Sequence, residues 1–585
     1  MNKIINRLRF ILNKKQKISF LLTTCLMIVA SFLEMASVGF LIPVVSIIID
    51  GDLQNSYINL DFLIEITQNF TNQELMLFVF SIFALLFLIK FLFTFFFLYK
   101  KSVFIYLVRN DLSRRIFKSF LSRPYDFHQS TNTSKLAINC KYEIDLFTAN
   151  ILYGGIELLT DLVLASSLIF LLFLLEPNLT IIVLITFVSF IYFFQLILKS
   201  RSKIWAKERQ EFDVLLNKVI QEGLGSIKEI ILNLKENFFI NKLVYYLKRN
   251  SIVEIRANVA FEIPKPLMEL IAIMSFVLIF FVLIYFGYES QDIITLLGVY
   301  AAVSFKLLPS FNRIMSNIQR IRAGIPVVNF IYDELKSTDS SDKNMNLINS
   351  NITKPMFLNS TIEIKNLNFS YKDIGQSSKK TIFENCNFKI NKGEYIGLVG
   401  SSGTGKSTFL NIISGLIKDY EGEVLVDGKN IKNLNKNWSD RVAYISQDPF
   451  FLDETIKNNV AFAEDEANID EEKIWKALEA AQLFDFVKSL KKKLNNIIGE
   501  KGTTMSAGQL QRLAISRALY DDFDLIILDE SLNALDSVNE SKILKVLKDL
   551  KNKNKTIILI SHHLSNLRDC GKILQIEDKK IIQKK

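Results

Sequence analysis

A chain of 585 residues holds about three to five domains' worth of polypeptide at roughly 100–200 residues each. Half of it is hydrophobic, 22% is charged and the mean hydropathy is +0.24, with 48 Phe against 9 Pro and 22 Gly. This excludes a disordered or collagen-like chain and places part of the protein in lipid. The net charge of +10 comes without basic runs interleaved with aromatics, which argues against a nucleic-acid partner. Cys25, Cys140, Cys386 and Cys570 lack CxxC or Cys/His ligand spacing, so neither a disulfide framework nor a zinc site is expected.

Along the chain, Lys and Arg vanish from 18–89, 142–198 and 266–305. A membrane helix needs about 20 mostly apolar residues, so each gap accommodates two spans and a turn. Six spans are predicted near 18–49, 74–99, 151–175, 179–198, 267–285 and 293–314, the last being the least apolar. The turns within the gaps are acidic or neutral. The segments between gaps are basic, as is the start of the chain with Lys3, Arg7, Arg9, Lys14, Lys15 and Lys17. The positive-inside rule therefore places the N-terminus and the loops 100–150 and 200–265 in the cytoplasm. Residues 102–123 and 209–249 carry apolar residues at i, i+3, i+4 spacing and read as helical extensions of the spans. Residues 57–70 read as a short amphipathic helix on the opposite face, with Ile58, Phe62, Leu63, Ile66 and Phe70 on its apolar side.

The membrane pattern stops after Pro326, and the segment 331–360 is polar and aperiodic, as a linker is. The expected organisation is a membrane domain over 1–330, a linker over 331–360 and a soluble domain over 361–585. The soluble part opens with strand-like segments and then reads YIGLVGSSGTGKSTFLNIISGL, an apolar strand, a Gly-rich turn and a helix. The GxxxxGK[ST] spacing is met by Gly400, Gly405, Lys406 and Ser407. In such a loop the backbone N–H groups of Gly400, Ser401, Ser402, Gly403, Thr404 and Gly405 wrap phosphates, together with the helix start at Ser407 and Thr408. Lys406 neutralises the β/γ oxygens and the Ser407 hydroxyl completes magnesium coordination. Further on, FDLIILDE reads as a buried strand that delivers Asp529 and Glu530 at its end. Asp529 is suited to holding Mg2+ through water, and Glu530 to orienting or deprotonating the water that attacks ATP.

With these motifs the chain resembles the ATP-binding cassette transporters, specifically an exporter-type half-transporter. The implied fold is an all-α six-helix membrane domain joined to an α/β P-loop nucleotide-binding domain. The resemblance assigns Gln447 in YISQDPFF to the Q-loop and a place at the metal, Ser506, Gly508 and Gln509 in MSAGQLQR to the signature, and Asp536 to the D-loop. It further assigns His562 in ISHHL to γ-phosphate sensing and Tyr371 to stacking on adenine. The signature departs from LSGGQ at Met505 and Ala507 but keeps Ser506 and Gly508. The family completes each ATP site with a second cassette, which implies a dimer: a homodimer given the intact catalytic residues, with a heterodimer as the alternative. Residues 124–135 and 223–229 are expected to couple membrane helices to cassettes.

Charged groups inside spans cost roughly 2.5–3.5 kcal/mol each and are functional candidates. Glu34, Glu157 and Asp161 are such groups, and Lys265, Lys306 and Arg313 form a basic set. Lys306 and Arg313, seven residues apart, share a helix face, either towards a cavity suited to a phosphate or pyrophosphate or paired with acids of another span. The segments SFLEMASVGFLIPVV, EIPKPLMEL and KLLPSFNRI are similar to those of bacterial flippases for lipid-linked oligosaccharides. The expected function is ATP-driven flipping of a polyprenyl-pyrophosphate oligosaccharide across the bacterial cytoplasmic membrane. The partners would be membrane lipid and this phosphorylated amphipathic lipid, with Glu34, Lys265, Lys306 and Arg313 around the cargo. The alternative is another amphipathic cargo: a lipid A type lipid, a drug or a peptide.

Overall fold

The computed structural model describes residues 2–41, 44, 47, 70–287, 290–349, 357–372, 379–433, 438–499, 502–532, 535–561 and 563–584. Residues 57–69 of the expected amphipathic helix, and His562, lie outside the described residues. The chain forms two compact units, Met1–Ser122 with Asn132–Ser341, and Arg123–Thr131 with Asp342–Lys585. Part of the expected coupling segment, 123–131, thus packs with the cassette rather than with the helices it connects.

The first unit is helical. Helix α1 (Asn2–Ile11) leads into α2 (Lys14–Gly39), which starts at a reciprocal cap between Asn13 and Gln16. Helix α3 (Asn72–Leu121) starts at the equivalent cap between Thr71 and Glu74. Its 50 residues span about 75 Å at 1.5 Å per residue, well beyond a hydrocarbon layer of about 30 Å. The helical extension read from the apolar periodicity is therefore present. After α4 (Tyr125–Ser130), α5 (Thr133–Leu146) continues through a π-helical turn at Phe147–Tyr153 into α6 (Gly154–Leu175). Pro177, whose missing N–H is harmless in a first turn, starts α7 (Pro177–Gly225). Then come α8 (Ile227–Asn233), α9 (Glu236–Glu262), α10 (Pro264–Tyr285) and α11 (Ser290–Asn349).

Among the described residues five helical stretches are long and apolar enough to cross a membrane: Lys14–Gly39, Asn72–Leu121, Leu136–Leu174, Pro177–Phe194 and Glu236–Tyr285. Helix α11, the expected sixth span, is not among them. One of its faces is a buried stripe, Tyr300, Val303, Leu307, Phe311 and Ile314, which packs with Val38, Leu168, Leu172, Met268 and Leu283. The same stripe continues through Val328, Ile331 and Leu335, and Glu334 accepts a 2.8 Å hydrogen bond from Ser119 of α3. Helix α11 runs to Asn349, across the first part of the segment read as a coil linker from 331. The buried stripe extends it as far as Leu335.

The cassette has two sheets. The antiparallel one has strand order β2-β1-β4-β5, from β1 (Thr361–Lys372), β2 (Lys379–Asn391), β4 (Glu421–Val426) and β5 (Lys429–Asn430). The other has order β10-β9-β3-β8-β7-β6, from β3 (Tyr395–Val399), β6 (Val442–Ile445), β7 (Leu525–Asp529), β8 (Thr556–Ile560), β9 (Lys572–Glu577) and β10 (Lys580–Gln583). Its strands are parallel except for β10. Strands β7 and β8 are buried at every position, which explains their unbroken apolar sequences: a parallel sheet covered on both faces needs no alternation. Helix α12 (Lys406–Ile413) follows β3. Helices α13 (Ile456–Val460), α14 (Glu471–Ala480), α15 (Phe484–Ser489) and α16 (Ala507–Tyr520) lie between β6 and β7, and α17 (Ser537–Asn552) between β7 and β8.

Arg441 ties the starts of β6 and β7 together through Asp524, with Nε at 3.1 Å, and Asp524 also accepts from the Leu358 amide at 3.1 Å. Both side chains are largely buried, at 15% and 7% exposure. Removing one member of a buried pair strands the other, at about 3–5 kcal/mol. Asp522, 3.7 Å from Arg441, offsets part of that loss. Asp524→Ala is therefore expected to lower the cassette's unfolding temperature by roughly 5–10 °C in a thermal melt; an unchanged transition would remove this pair from the fold's supports.

Candidate functional site

Parallel strands bring their C-terminal ends to one side, and ligand sites form where those ends gather. Leu398 of β3, Ile560 of β8 and Asp529 of β7 lie in one row of the sheet. The phosphate loop after β3 and the carboxylates after β7 are thus two strands apart, about 10 Å at 4.8 Å per strand. Gln447 follows β6, which pairs with β7 on its other side. His562 follows β8 in sequence, outside the described residues.

The loop Gly400–Gly405 turns tightly. Gly405 has φ of 103°, and a Cβ there would sit 2.4 Å from Cγ2 of Ile382, so both conformation and space demand glycine. Thr404 donates to the Ser401 carbonyl at 2.9 Å, closing the loop on itself. Ser402 and Gly403, with φ of 80°, are exposed at its tip. Lys406 is 8% exposed and donates to the carbonyls of Gly400 at 2.8 Å and Ser401 at 3.3 Å. Tyr371 and Thr408 share a hydroxyl hydrogen bond of 3.1 Å, which anchors the aromatic expected beside adenine to the third residue of α12. Phe369 packs edge-on to Tyr371 with ring centroids 4.9 Å apart.

Glu530 stands at the junction. Its Oε1 is 4.0 Å from the Lys406 ammonium, and its Oε2 accepts from Gln447 at 3.3 Å. Its φ of 51° is unusual for a non-glycine residue and turns the chain sharply at the end of β7. Asp529, buried, accepts a 2.8 Å hydrogen bond from the Tyr444 hydroxyl. Burial, then the neighbouring Asp529 carboxylate, pushes the Tyr444 phenol far above its ordinary range, so it remains a donor at every working pH. The sequence reading missed Tyr444: one aromatic residue in an apolar strand carries no signal of what its hydroxyl holds.

Ser506, Gly508 and Gln509 sit at the start of α16, where the Ser506 hydroxyl accepts from the Gln509 amide at 3.3 Å and the Gln509 side chain accepts from the Ser506 amide at 2.8 Å. The signature thus begins as a capped helix N-terminus, suited to an anion. No contact joins it to Lys406 among the described residues. At the other end of α16, Arg517 donates to the carbonyls of Asn459 at 2.8 Å and Phe450 at 3.1 Å, fastening the signature helix to the segment after Gln447. Burial lowers its guanidinium to about 10, still charged near neutrality. Asp536 caps α17 by accepting from Asn539 at 3.3 Å.

In the membrane unit both cations of the predicted pair have carboxylate partners on other helices. Lys306 is 3.2 Å from Glu34, which also holds Lys90 at 2.6 Å. Arg313 grips Asp161 through Nη2 at 2.7 Å and Nε at 2.9 Å, and Asp161 is 1% exposed. Lys101 pairs with Glu157. In apolar surroundings a lone charge is too costly, so carboxylates of neighbouring helices neutralise the cations. Lys265 and Arg313 line a common cavity of about 630 Å³ with Arg209, Glu254, Glu262 and Arg320; Lys306 and Glu34 do not line it.

A helical membrane unit joined to a P-loop α/β domain defines a membrane ATPase of the transporter class. The description "ABC transporter" matches residues 383–533, and "ABC transporter transmembrane region" matches residues 20–305, together about three quarters of the chain. The chain is 27% identical to the ATP-dependent lipid A-core flippase of Haemophilus influenzae (strain 86-028NP) over 80% of its own length and 77% of that protein. It is 26% identical to the lipid A-core flippase of Paraburkholderia xenovorans over 81% and 77%. A bacterial Atm1-family ABC exporter solved with ATP bound shares the fold, with a TM-score of 0.76 at 16% identity over 97% of this chain and 95% of that one. The chain belongs to the ABC transporters, as an exporter half-transporter whose cassette hydrolyses ATP coupled to transport.

Because Tyr444 holds Asp529 at 2.8 Å, Tyr444→Phe should lower ATPase turnover about fivefold or more, on the scale of losing one hydrogen bond to a charged group. Unchanged turnover would show that the Asp529 carboxylate keeps its place unaided.

Proposed function

We propose that the protein is an ATP-driven flippase of the bacterial cytoplasmic membrane whose cargo is a phosphorylated amphipathic lipid of the lipid A type. The observation that carries the reading is the likeness, over four fifths of the chain, to flippases of lipid A-core. The polyprenyl-pyrophosphate oligosaccharide expected from the sequence finds no such support among these relatives. Both cargoes share an anionic head, and the cavity with Arg209, Lys265, Arg313 and Arg320 suits either one by charge.

ATP would lie along the loop Gly400–Gly405, with Lys406 exchanging its carbonyl partners for the β/γ oxygens and Tyr371 beside the base. Glu530 orients the attacking water and accepts its proton as the water oxygen bonds to the γ-phosphorus and ADP leaves. Gln447, already bonded to Glu530, fixes that carboxylate, and His562 follows as the γ-phosphate sensor. The donor set fits Mg2+: the Ser407 hydroxyl is exposed with no hydrogen bond among the described residues, and Asp529 is a buried carboxylate oriented by one oxygen. Bound there with Gln447, the ion would neutralise charge that develops on the phosphates. Ser506, Gly508 and Gln509 serve the ATP of a second cassette, and the intact set of catalytic residues favours a homodimer. The N-terminus and cassette are cytoplasmic, in line with the basic loops.

In the membrane, the cargo's phosphate oxygens replace the Asp161 carboxylate that holds Arg313. A single Arg313→Ala substitution would strand buried Asp161, so the informative variant is Asp161→Asn with Arg313→Gln. It should keep basal ATPase and lose most of the stimulation by cargo.

Glu530→Gln is expected to bind ATP but lower turnover by about 10²-fold or more; near wild-type turnover would remove Glu530 from its role. ATPase of the purified protein in nanodiscs, titrated with a lipid A type lipid, a polyprenyl-pyrophosphate oligosaccharide, a neutral lipid and hydrophobic drugs, tests the cargo. Stimulation by the lipid A type lipid supports the reading. Stimulation by the pyrophosphate lipid alone reassigns the cargo, and a response only to drugs or neutral lipid ends the case for a phosphorylated one.

A further inference from the structure

A second cavity, of about 580 Å³, lies between α7 and α9 and is lined by Phe194, Arg201, Ile204, Trp205, Arg256 and Ile263 among others. Its walls are apolar and outward: Ile204, Val259 and Ile263 are 55%, 49% and 41% exposed. In the single chain these faces are uncovered and open to acyl chains. The two guanidiniums are placed alike. Arg201 comes seven residues after Phe194, where the apolar stretch Pro177–Phe194 ends, and Arg256 comes seven residues before Ile263, next to the start of α10. Seven residues of helix rise about 10 Å, which carries both charges from the hydrocarbon edge into the headgroup layer. Trp205, one turn beyond Arg201, is the residue type that favours that layer.

This pair differs in neutralisation from four cations of the neighbouring membrane helices. Lys90, Lys101, Lys306 and Arg313 each have a carboxylate partner on another helix. Arg201 and Arg256 have no hydrogen bond or ion pair among the described residues, although they border one apolar groove. Two unneutralised guanidiniums over a greasy cleft match a phosphodiester headgroup with its chain lying in the groove, and basic pockets between membrane helices bind anionic headgroups in this way. We propose that the α7–α9 groove is a binding site for a resident anionic phospholipid of the bilayer, with Arg201 and Arg256 on its phosphate and Phe194, Ile204 and Ile263 against its acyl chain. The groove shares Trp205 and Ala260 with the cavity that contains Lys265 and Arg313, so a lipid seated there braces the wall of that cavity. The proposal stands whichever lipid is transported.

The test is photo-crosslinking of the full-length protein in phosphatidylcholine nanodiscs with headgroup-proximal diazirine analogues of phosphatidylglycerol and of phosphatidylcholine. The phosphatidylglycerol probe should label the peptides around 194–205 and 256–263 at least fivefold more than the neutral probe, and unlabelled phosphatidylglycerol should compete it away. Arg201→Gln with Arg256→Gln should cut that labelling at least fivefold while ATPase in neutral lipid stays unchanged; the double Lys variant should retain most of it. Equal labelling by both probes, labelling spread evenly over the membrane helices, or labelling indifferent to the double Gln variant would overturn the proposal. So would displacement by a lipid A type lipid at lower concentration than by phosphatidylglycerol, or a crosslink between two subunits across the groove, because either would give the groove a different occupant.

Discussion

Charge in apolar surroundings must be neutralised, and that constraint shapes both units of this protein. In the membrane unit it pairs Lys90 and Lys306 with Glu34, Lys101 with Glu157, and Arg313 with Asp161, joining α2, α3, α6 and α11. In the cassette it sets Arg441 against Asp524 beneath the sheet and brings Lys406 near Glu530 at its upper edge. The two settings use the pairing differently. Arg441 and Asp524 have only each other and their neighbours to satisfy. Lys406 and Glu530 are held at 4.0 Å, within reach of each other where the phosphate loop and the strand-end carboxylates meet.

The same constraint links the membrane charges to transport. A cation paired with a carboxylate of its own chain is spared the larger cost of burial as a lone charge. Arg313 offers its planar fork to Asp161 in the geometry a phosphate would take, and it borders the cavity that also holds Lys265 and Arg320.

The sequence made the cassette legible because its chemistry is contiguous. A Gly-rich turn after one apolar strand, and two carboxylates after another, are sufficient to place Lys406, Ser407, Asp529 and Glu530, and the sheet order brings those strand ends together. The spans were legible from the absence of Lys and Arg, because lipid excludes charge over a fixed thickness. What escaped was what depends on partners distant in sequence. The pairing of Lys306 with Glu34 and of Arg313 with Asp161 joins residues 272 and 152 positions apart, so the choice between cavity and partner stayed open. Tyr444 and Arg517 look like an ordinary strand aromatic and an ordinary surface arginine until the fold shows what each one holds. The continuation of α11 past residue 330 was hidden by a polar composition, although Ile331 and Leu335 carry its periodicity over the first turn.

The central claim is that hydrolysis at Glu530 drives a phosphorylated lipid across the membrane. It is tested most directly in proteoliposomes that carry a fluorescent lipid A type lipid, by following its protection from a membrane-impermeant quencher after ATP is added. The account predicts ATP-dependent movement by the wild-type protein and none by Glu530→Gln. Movement of equal rate in both, or without ATP, would contradict it.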